Sequence, residues 1–178
     1  MYAEEQLIVA VSHGDRVAMR QLYNQYAGFA MAVGLRYVPN EEELKDILQD
    51  SFMKIFASVA DFEYRREGAL RSWIGRIVAN EALEHLRRSK RLVFTDEVPD
   101  TAADDSPDMG GLTDEVLTRL IGQLPEGYRA VLNMFVFARM SHKEIAQRLG
   151  ISPGTSASQY YHAKQMLAKM IKNYQKQH

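Results

Sequence analysis

The chain has 178 residues, of which 46% are hydrophobic and 25% are charged, and its formal net charge is −1. This apolar content suits one domain or two small ones and excludes an intrinsically disordered chain. The lack of cysteine excludes a disulfide framework and a thiolate metal site, and no apolar run resembles a signal peptide or a membrane span. We therefore expect a cytoplasmic protein without membrane insertion.

Apolar residues recur at helical spacing in three segments of the first part of the chain. The spacing predicts a short helix around residues 5–11, a longer one over residues 15–38, and a third from residue 40 to about residue 56. Pro39 ends the second helix, and Asn40 caps the third. Three glutamates follow Asn40, where their negative charge suits the positive end of the helix dipole.

The third predicted helix has two different faces. Its apolar stripe consists of Leu44, Ile47, Leu48, Phe52 and Ile55. Asp46, Gln49, Asp50 and Met53 lie on another face, which we expect to be exposed. Two carboxylates four residues apart repel each other by roughly 0.2–0.5 kcal/mol on an isolated helix. A basic partner surface would remove this repulsion, so the face is a candidate binding surface.

A loop over residues 61–68 and a basic helix over residues 70–91 come next. Apolar spacing places Leu70, Ile74, Ile77, Val78, Ala82 and Leu86 on the buried side of this helix. The basic side chains expected in solvent are Arg71, Arg76, Arg87, Arg88, Lys90 and Arg91. Phe62, Tyr64 and Trp73 lie around the loop, and such rings beside arginines stack unpaired bases and hold phosphates. Alternatively, the rings belong to the core and the arginines serve only solubility.

Residues 92–114 form an acidic segment with a net charge of −7 and no Lys or Arg. It also contains two prolines and two glycines, so little in its composition offsets the entropy of ordering it. Basic segments lie on both sides, with +5 over residues 65–91 and +6 over residues 139–178. We therefore predict two helical domains, residues 1–91 and 112–178, joined by a flexible acidic linker over residues 92–111.

Residues 141–155 have the pattern of a helix-turn-helix. Ser141 and Glu144 are spaced for a capping box, in which each side chain accepts a hydrogen bond from the other residue's backbone. Gly150 suits the left-handed conformation of a tight helix exit. Ser152 and Pro153 are the preferred cap and first residue of a second helix. The segment is therefore a candidate DNA-binding motif, with two helices of an ordinary bundle as the alternative.

These motifs resemble two conserved regions of the sigma-70 family. Residues 44–56, 73–80 and 86–88 look like its second region, and residues 141–155 look like its fourth. With only a short acidic linker between them, the chain is similar to the compact extracytoplasmic-function type. The resemblance implies an all-α fold of two small helical domains. It also implies a dissociable RNA polymerase subunit that directs the core enzyme to promoters and helps open DNA, with no catalytic residue, cofactor or metal.

The resemblance also implies sites in the first domain. Asp46, Gln49, Asp50 and Met53 fall on the helix that docks against the clamp helices of the polymerase's largest subunit. Residues 61–68 match the loop that captures a flipped base of the minus-ten element. The candidate minus-ten residues are Phe62, Tyr64, Arg65, Arg66, Arg71, Trp73, Arg76, Asn80, Arg87 and Arg88.

The helix after Ser152 is expected to enter the major groove at the minus-thirty-five element. Its candidate contacts, which we expect to be exposed, are Thr155, Ala157, Ser158, Tyr161, His162, Lys164 and Gln165, and the preceding cap Ser141 is a further candidate. Ala157, Gln159 and His162 replace basic residues of the commoner family pattern, and Ser156 replaces a branched aliphatic residue. Relatives are commonly held by an anti-sigma factor, so we expect such a partner besides core polymerase and promoter DNA.

Three other classes of protein fit parts of the sequence. Glu43, Asp46 and Asp50 could ligate magnesium in a nuclease, although the five histidines lack ligand spacing. The helix-turn-helix alone also suits a transcriptional regulator that acts without core polymerase. A structural adaptor would use the nine methionines as adaptable interface residues. The acidic helix beside an arginine-rich aromatic loop favours the sigma interpretation over all three.

Overall fold

The computed structural model describes residues 3–94 and 110–178, and within these ranges every regular element is a helix. The all-α prediction is therefore confirmed for the described residues. Contacts divide the chain into two compact units, Met1–His85 and Leu86–His178. This division lies six residues before the predicted boundary at Arg91. Most of the predicted linker, residues 95–109, lies outside the described residues.

The first unit contains the helices predicted from apolar spacing. They are α1 (Glu4–Ser12), α2 (Arg16–Tyr37), α3 (Glu41–Ser58), a 3-10 turn (Val59–Asp61) and α4 (Ala69–Arg88), which runs past the unit's last residue. Asn40 caps α3 as predicted, because its side chain accepts hydrogen bonds from the N–H groups of Glu42 and Glu43 at 3.0 and 3.1 Å. The predicted helix bounds are thus correct to within three residues.

The core of the first unit lies where α1, α2, α3 and α4 pack together. Large side chains that are almost fully buried there include Leu7, Leu22, Ile55, Leu70 and Ile74. The stripe predicted on α3 is buried except for Leu48, which is half-buried. This packing leaves the opposite face of α3 in solvent.

Helix α4 ends three residues earlier than predicted because the chain turns sharply after Arg88. Lys90 has a φ of 56°, in the left-handed region that ends many helices. The N–H groups of Lys90 and Arg91 donate to the carbonyls of Arg87 and Leu86, both at 3.0 Å. The expectation that Arg91 is solvent-exposed is wrong, since this turn leaves it half-buried.

The second unit contains four further helices. They are α5 (Asp114–Gly122), α6 (Glu126–Val136), α7 (His142–Leu149) and α8 (Pro153–Gln177). Helix α8 packs against the other three, and α6 also packs against α7. Arg129 is buried at 4% exposure and donates from Nη1 to the carbonyls of Gly122 and Leu124, both at 2.8 Å. This arginine therefore satisfies backbone groups at the end of α5 that have no helical partner.

Candidate functional site

The face of α3 opposite the core is exposed as predicted. Asp46, Gln49 and Asp50 are all exposed, and 64% of the Met53 side chain is accessible. Within the described part of the chain, neither Asp46 nor Asp50 has an ion-pair or hydrogen-bond partner. Two adjacent carboxylates without an intramolecular cation, next to an exposed methionine, form a surface that suits a basic partner with an apolar element.

The aromatic residues around the loop are held against the first unit's core. The rings of Phe62 and Trp73 are 5.0 Å apart between centroids, at an interplanar angle of 40°. Both rings and that of Tyr64 are half-buried and pack against the core cluster. Each ring therefore has one side fixed by packing and part of its surface in solvent. The alternative that assigns these rings to the core is partly right, because they pack against it. Their solvent-exposed parts can still stack on a base.

Four arginines of the loop and of the first half of α4 are exposed. They are Arg65, Arg66, Arg71 and Arg76. The Arg71 guanidinium lies 3.8 Å from the centre of the Phe29 ring, a cation–π contact that fixes its position on α4. Arg65 pairs with Glu63 at 2.8 Å, but both side chains are largely exposed, so this pair adds little stability. The arginines are therefore available to phosphates.

One residue of this region was not predicted from the sequence. The Glu4 carboxylate of α1 accepts hydrogen bonds from Tyr26 Oη and the Gly68 N–H, both at 3.2 Å. Burial and the Glu4 charge raise the pKa of Tyr26 to about 12, and burial followed by Glu4 also raises the pKa of Tyr64. Glu4 lies 64 residues before Gly68, so no local pattern signals the contact.

The remaining minus-ten candidates lie farther along α4. Asn80 is half-buried and lines a groove of about 370 Å³ together with Lys54, Ser58, Ile77 and Glu81. Lys54 and Glu81 form an ion pair at this groove. Arg87 and Arg88 are exposed in the last turn of the helix. The predicted residues thus extend from the loop along most of α4.

The helix-turn-helix has the predicted caps. Ser141 N–H donates to Glu144 Oε2 at 2.7 Å, and Glu144 N–H donates to Ser141 Oγ at 3.2 Å, which confirms the capping box. These hydrogen bonds lower the pKa of Glu144. Gly150 has a φ of 69°, and Ser152 Oγ accepts from the Thr155 N–H at 3.0 Å. Pro153 is the first residue of α8, as predicted.

The candidate contacts on α8 differ in their exposure. Ala157, Lys164 and Gln165 are exposed, whereas Ser158, Tyr161 and His162 are half-buried. The expectation that Thr155 is exposed is wrong, because its accessibility is only 9% and its hydroxyl bonds to Ser152 Oγ at 2.8 Å. The cap at the start of α8 draws this side chain inward.

A polar contact joins the two helices of the motif. Ser156 is fully buried, and its hydroxyl lies 2.9 Å from His142 Nδ1. The His142 ring also stacks on Phe135, with centroids 4.5 Å apart and planes at 13°. Burial lowers the pKa of His142. The buried Ser156 hydroxyl, at a position where the family pattern has an aliphatic side chain, therefore has a polar partner.

Two further observations bear on the other classes of protein. Among the residues that the structure describes, no three His, Asp or Glu side chains gather as a metal ion would require. Glu43, one of the three carboxylates considered for magnesium, lies 3.0 Å from His85 Nε2.

In residues 3–94 and 110–178, no helix has both the length and the apolar character needed to cross a membrane.

Family comparisons match both units. The family model for sigma-70 region 2 matches residues 22–92, and the model for sigma-70 region 4 matches residues 114–167. The chain is 28% identical to the RNA polymerase sigma-H factor of Pseudomonas aeruginosa, over 94% of this chain and 93% of that protein. It is 25% identical to the ECF RNA polymerase sigma-E factor of Haemophilus influenzae, over 94% and 95% of the respective chains.

A solved structure supports the fold. The sigma factor RpoE from Bartonella quintana, crystallised with the anti-sigma factor NepR, matches with a TM-score of 0.52 and 21% identity. The match covers 86% of this chain and 96% of that one. This likeness concerns the fold, whereas the family follows from the two family models, which match in the order expected from the motifs, and from the curated relatives. The chain belongs to the sigma-70 family and is an extracytoplasmic-function RNA polymerase sigma factor, with a region 4 helix-turn-helix for DNA in its second unit.

Proposed function

We propose that this sigma factor holds core RNA polymerase through the exposed face of α3 and opens promoter DNA by capturing one strand at residues 61–68. Its second unit would dock α8 into the major groove at the minus-thirty-five element. The observation that carries the proposal is the pair of unpartnered carboxylates, Asp46 and Asp50, on the same unit as exposed arginines around the Phe62 and Trp73 rings.

The contact with polymerase depends on the chemistry of α3. Asp46 and Asp50 carry like charges one turn apart, and a basic surface on the partner would convert this repulsion into attraction. Gln49 lies between them and supplies hydrogen-bond groups, and the accessible Met53 side chain supplies apolar contact area. This surface suits the clamp helices of the largest polymerase subunit, the partner implied by the family resemblance.

Strand capture supplies the free energy for opening DNA. Flipping a base out of the duplex costs a few kcal/mol. One base stacked on an aromatic ring regains roughly 1–3 kcal/mol, so a single ring does not suffice. The exposed parts of Phe62, Tyr64 and Trp73 supply stacking, and Arg65 and Arg66 supply phosphate contacts. The stacking contacts favour the open state because they need unpaired bases, and the phosphate contacts add affinity for the captured strand.

Recognition of the minus-thirty-five element uses fewer cations than the commoner family pattern. Ala157 and Ser158 provide a small surface at the start of α8, while Lys164 and Gln165 are the exposed long side chains. His162 stacks on Tyr128, with centroids 5.8 Å apart, so its ring is partly used within the unit. We expect moderate affinity that falls with salt, with a log–log slope of about −0.9 for each phosphate contact.

An anti-sigma factor is a further proposed partner. Met53 of the first unit and Phe137 of the second unit are exposed apolar residues, at 64% and 43% accessibility. An inhibitor that covers Met53 would compete directly with core polymerase. The proposal is supported if a co-purifying protein competes with core polymerase for the chain and if Met53→Glu weakens the binding of that protein. Simultaneous binding of both would contradict it.

Run-off transcription tests the main proposal. Purified chain is added to core polymerase and a pool of genomic fragments, and the transcripts identify the promoters used. We expect Arg65→Ala with Arg66→Ala to lower initiation on duplex promoters by about tenfold or more. Arg16→Ala with Arg20→Ala, which removes two exposed arginines from α2, is the matched control and should retain activity.

The outcome also separates the proposal from a regulator that acts without polymerase. Such a regulator would bind the duplex through its second unit but would not restore initiation to core enzyme. Absence of transcripts from every template at low salt, with any inhibitor removed, would overturn the proposed function. An equal loss of initiation in the two double arginine variants would overturn the role of the loop.

A further inference from the structure

The Glu4 carboxylate connects three parts of the first unit. Glu4 is the first residue of α1 and is half-buried. Its Oε1 accepts a hydrogen bond from the Tyr26 hydroxyl of α2, and its Oε2 accepts from the Gly68 N–H at the end of the loop, both at 3.2 Å. Hydrogen bonds to a carboxylate are stronger than those between neutral groups. One side chain therefore holds the loop end against α1 and α2.

Gly68 is the residue where the loop becomes α4. Its φ of +78° lies in the region that favours glycine, and it belongs to the turn that leads into α4. Its carbonyl accepts from the N–H and the hydroxyl of Ser72, both at 3.2 Å, and so begins the hydrogen bonding of α4. Because the N–H of the same residue is held by Glu4, the junction is fixed on both sides. Arg71 and Trp73 lie within the first turns beyond it.

The charge of Glu4 makes its location notable. A carboxylate beside a loop that binds DNA repels phosphates, so electrostatics alone disfavours an acidic residue here. Burial, followed by the charge of Glu4, raises the pKa of Tyr64 within the loop, and the carboxylates of Glu67 and Glu5 act on Tyr64 in the same direction. Two donors, one from α2 and one from the loop end, therefore share the charge of Glu4. A structural role for this carboxylate outweighs its repulsion of DNA.

We propose that Glu4 is a positioning residue that preorganises residues 61–68 for strand capture, so that α1 contributes to promoter opening without touching DNA. This inference rests on the proposed function of the loop. Loss of the carboxylate would leave the Gly68 N–H and the Tyr26 hydroxyl without their shared acceptor. The loop would then have to be ordered when DNA binds, and that ordering would reduce the affinity for the strand.

Amide hydrogen exchange measured by NMR on the full chain tests the anchor itself. We expect Glu4→Ala to speed exchange of the Gly68 amide by about tenfold, the effect of losing one hydrogen bond to a charged acceptor. Glu4→Gln keeps one acceptor oxygen and should give an intermediate rate. Glu5→Ala is the matched control, because it removes an exposed carboxylate from the same turn of α1 without removing this acceptor.

Strand capture by the holoenzyme tests the functional consequence. The probe is a fluorescein-labelled single strand that carries the non-template sequence of a promoter selected by run-off transcription. We expect Glu4→Ala to weaken its binding by about tenfold relative to Glu5→Ala. Affinity for core polymerase should be unchanged, since α3 is not altered. A merely destabilised first unit would weaken both interactions together.

Each outcome decides one part of the inference. Unchanged Gly68 exchange in Glu4→Ala would overturn the anchor. Faster exchange with strand binding equal to that of Glu5→Ala would overturn the positioning role. If the unaltered holoenzyme binds no strand from any template, the proposed function fails and the role in capture fails with it. In that case, the exchange result still shows whether Glu4 orders the loop.

Discussion

Gly34 of α2 lies directly against Leu44 of α3. A Cβ atom built on Gly34 would be 2.3 Å from Leu44 Cδ1, well inside van der Waals contact. Leu44 is fully buried, so a shift of its side chain would disturb the packing around it. The absence of a side chain at residue 34 therefore allows α2 and α3 to approach closely. This approach sets the position of α3, whose outer face carries the proposed polymerase surface.

We expect Gly34→Ala to lower the free energy of unfolding by about 1–3 kcal/mol, because the added methyl group overpacks a closed contact. Urea unfolding of the full chain, followed by circular dichroism, measures the change. Gly28→Ala on the same helix is the control, since a Cβ there meets nothing within 4 Å. This control should raise stability by up to about 1 kcal/mol through helix propensity. Similar effects of both substitutions would show that the Gly34 contact is unimportant.

The acidic face of α3 gives a prediction about polymerase binding. Changing Asp46 and Asp50 together to lysine should weaken retention on immobilised core polymerase by about tenfold or more, because attraction to a basic surface becomes repulsion. Both side chains are exposed, so stability should change by less than about 0.5 kcal/mol. Retention that stays the same in the double variant would rule out this docking face.

A charge-matched control accompanies that measurement. Glu5→Lys with Glu115→Lys changes the net charge by the same amount at exposed positions on α1 and α5. Its retention on core polymerase should stay within about twofold of the unaltered chain, since neither residue belongs to the proposed docking face and exposed charges are screened at physiological salt. Equal losses in both double variants would indicate a general charge effect.

His142 makes the stability of the second unit depend on pH. Burial holds the pKa of this imidazole below its ordinary value of 6.5, so the folded state binds its proton less readily than the unfolded state. The imidazole is neutral in both states well above 6.5 and imposes no penalty there. As pH falls below about 6.5, the unfolded chain takes up the proton first, and the free energy of unfolding decreases.

His142→Phe isolates this contribution. Phenylalanine keeps a ring against Phe135 but removes the titrating group and the hydrogen bond to Ser156. Urea unfolding measured between about pH 7 and pH 5 should show a smaller loss of stability in the variant than in the unaltered chain. If the free energy of unfolding depends on pH in the same way in both proteins, His142 is not the source of the pH dependence.

The capping box of α7 contributes measurable stability. Ser141→Ala should lower the free energy of unfolding by about 1 kcal/mol, because it removes the acceptor for the Glu144 N–H. Ser12→Ala is a suitable control, since the Ser12 hydroxyl donates to the Val9 carbonyl of its own helix and caps no N–H group. Thermal unfolding compares the two variants. A Ser141→Ala midpoint equal to that of Ser12→Ala would contradict this contribution.

Features that depend on neighbours within a turn or two were predictable from the residues alone. Asn40, Ser141 and Ser152 cap their helices as expected, since a cap needs only the amides two or three residues ahead. The buried stripe and exposed face of α3 follow in the same way from a period of 3.6 residues. These local rules do not determine how deeply a side chain is buried. For that reason, the expected exposure of Thr155 and Arg91 was wrong.

Contacts between residues distant in sequence came only from the folded chain. Glu4 meets Gly68 across 64 residues, and His142 meets Ser156 across the turn between α7 and α8. Such partners are brought together by the packing of whole helices, and helix packing depends on the volumes and close approaches of many side chains at once. Composition, spacing and caps therefore specify the helices and their outer faces, while packing selects which polar groups meet at the loop and inside the helix-turn-helix.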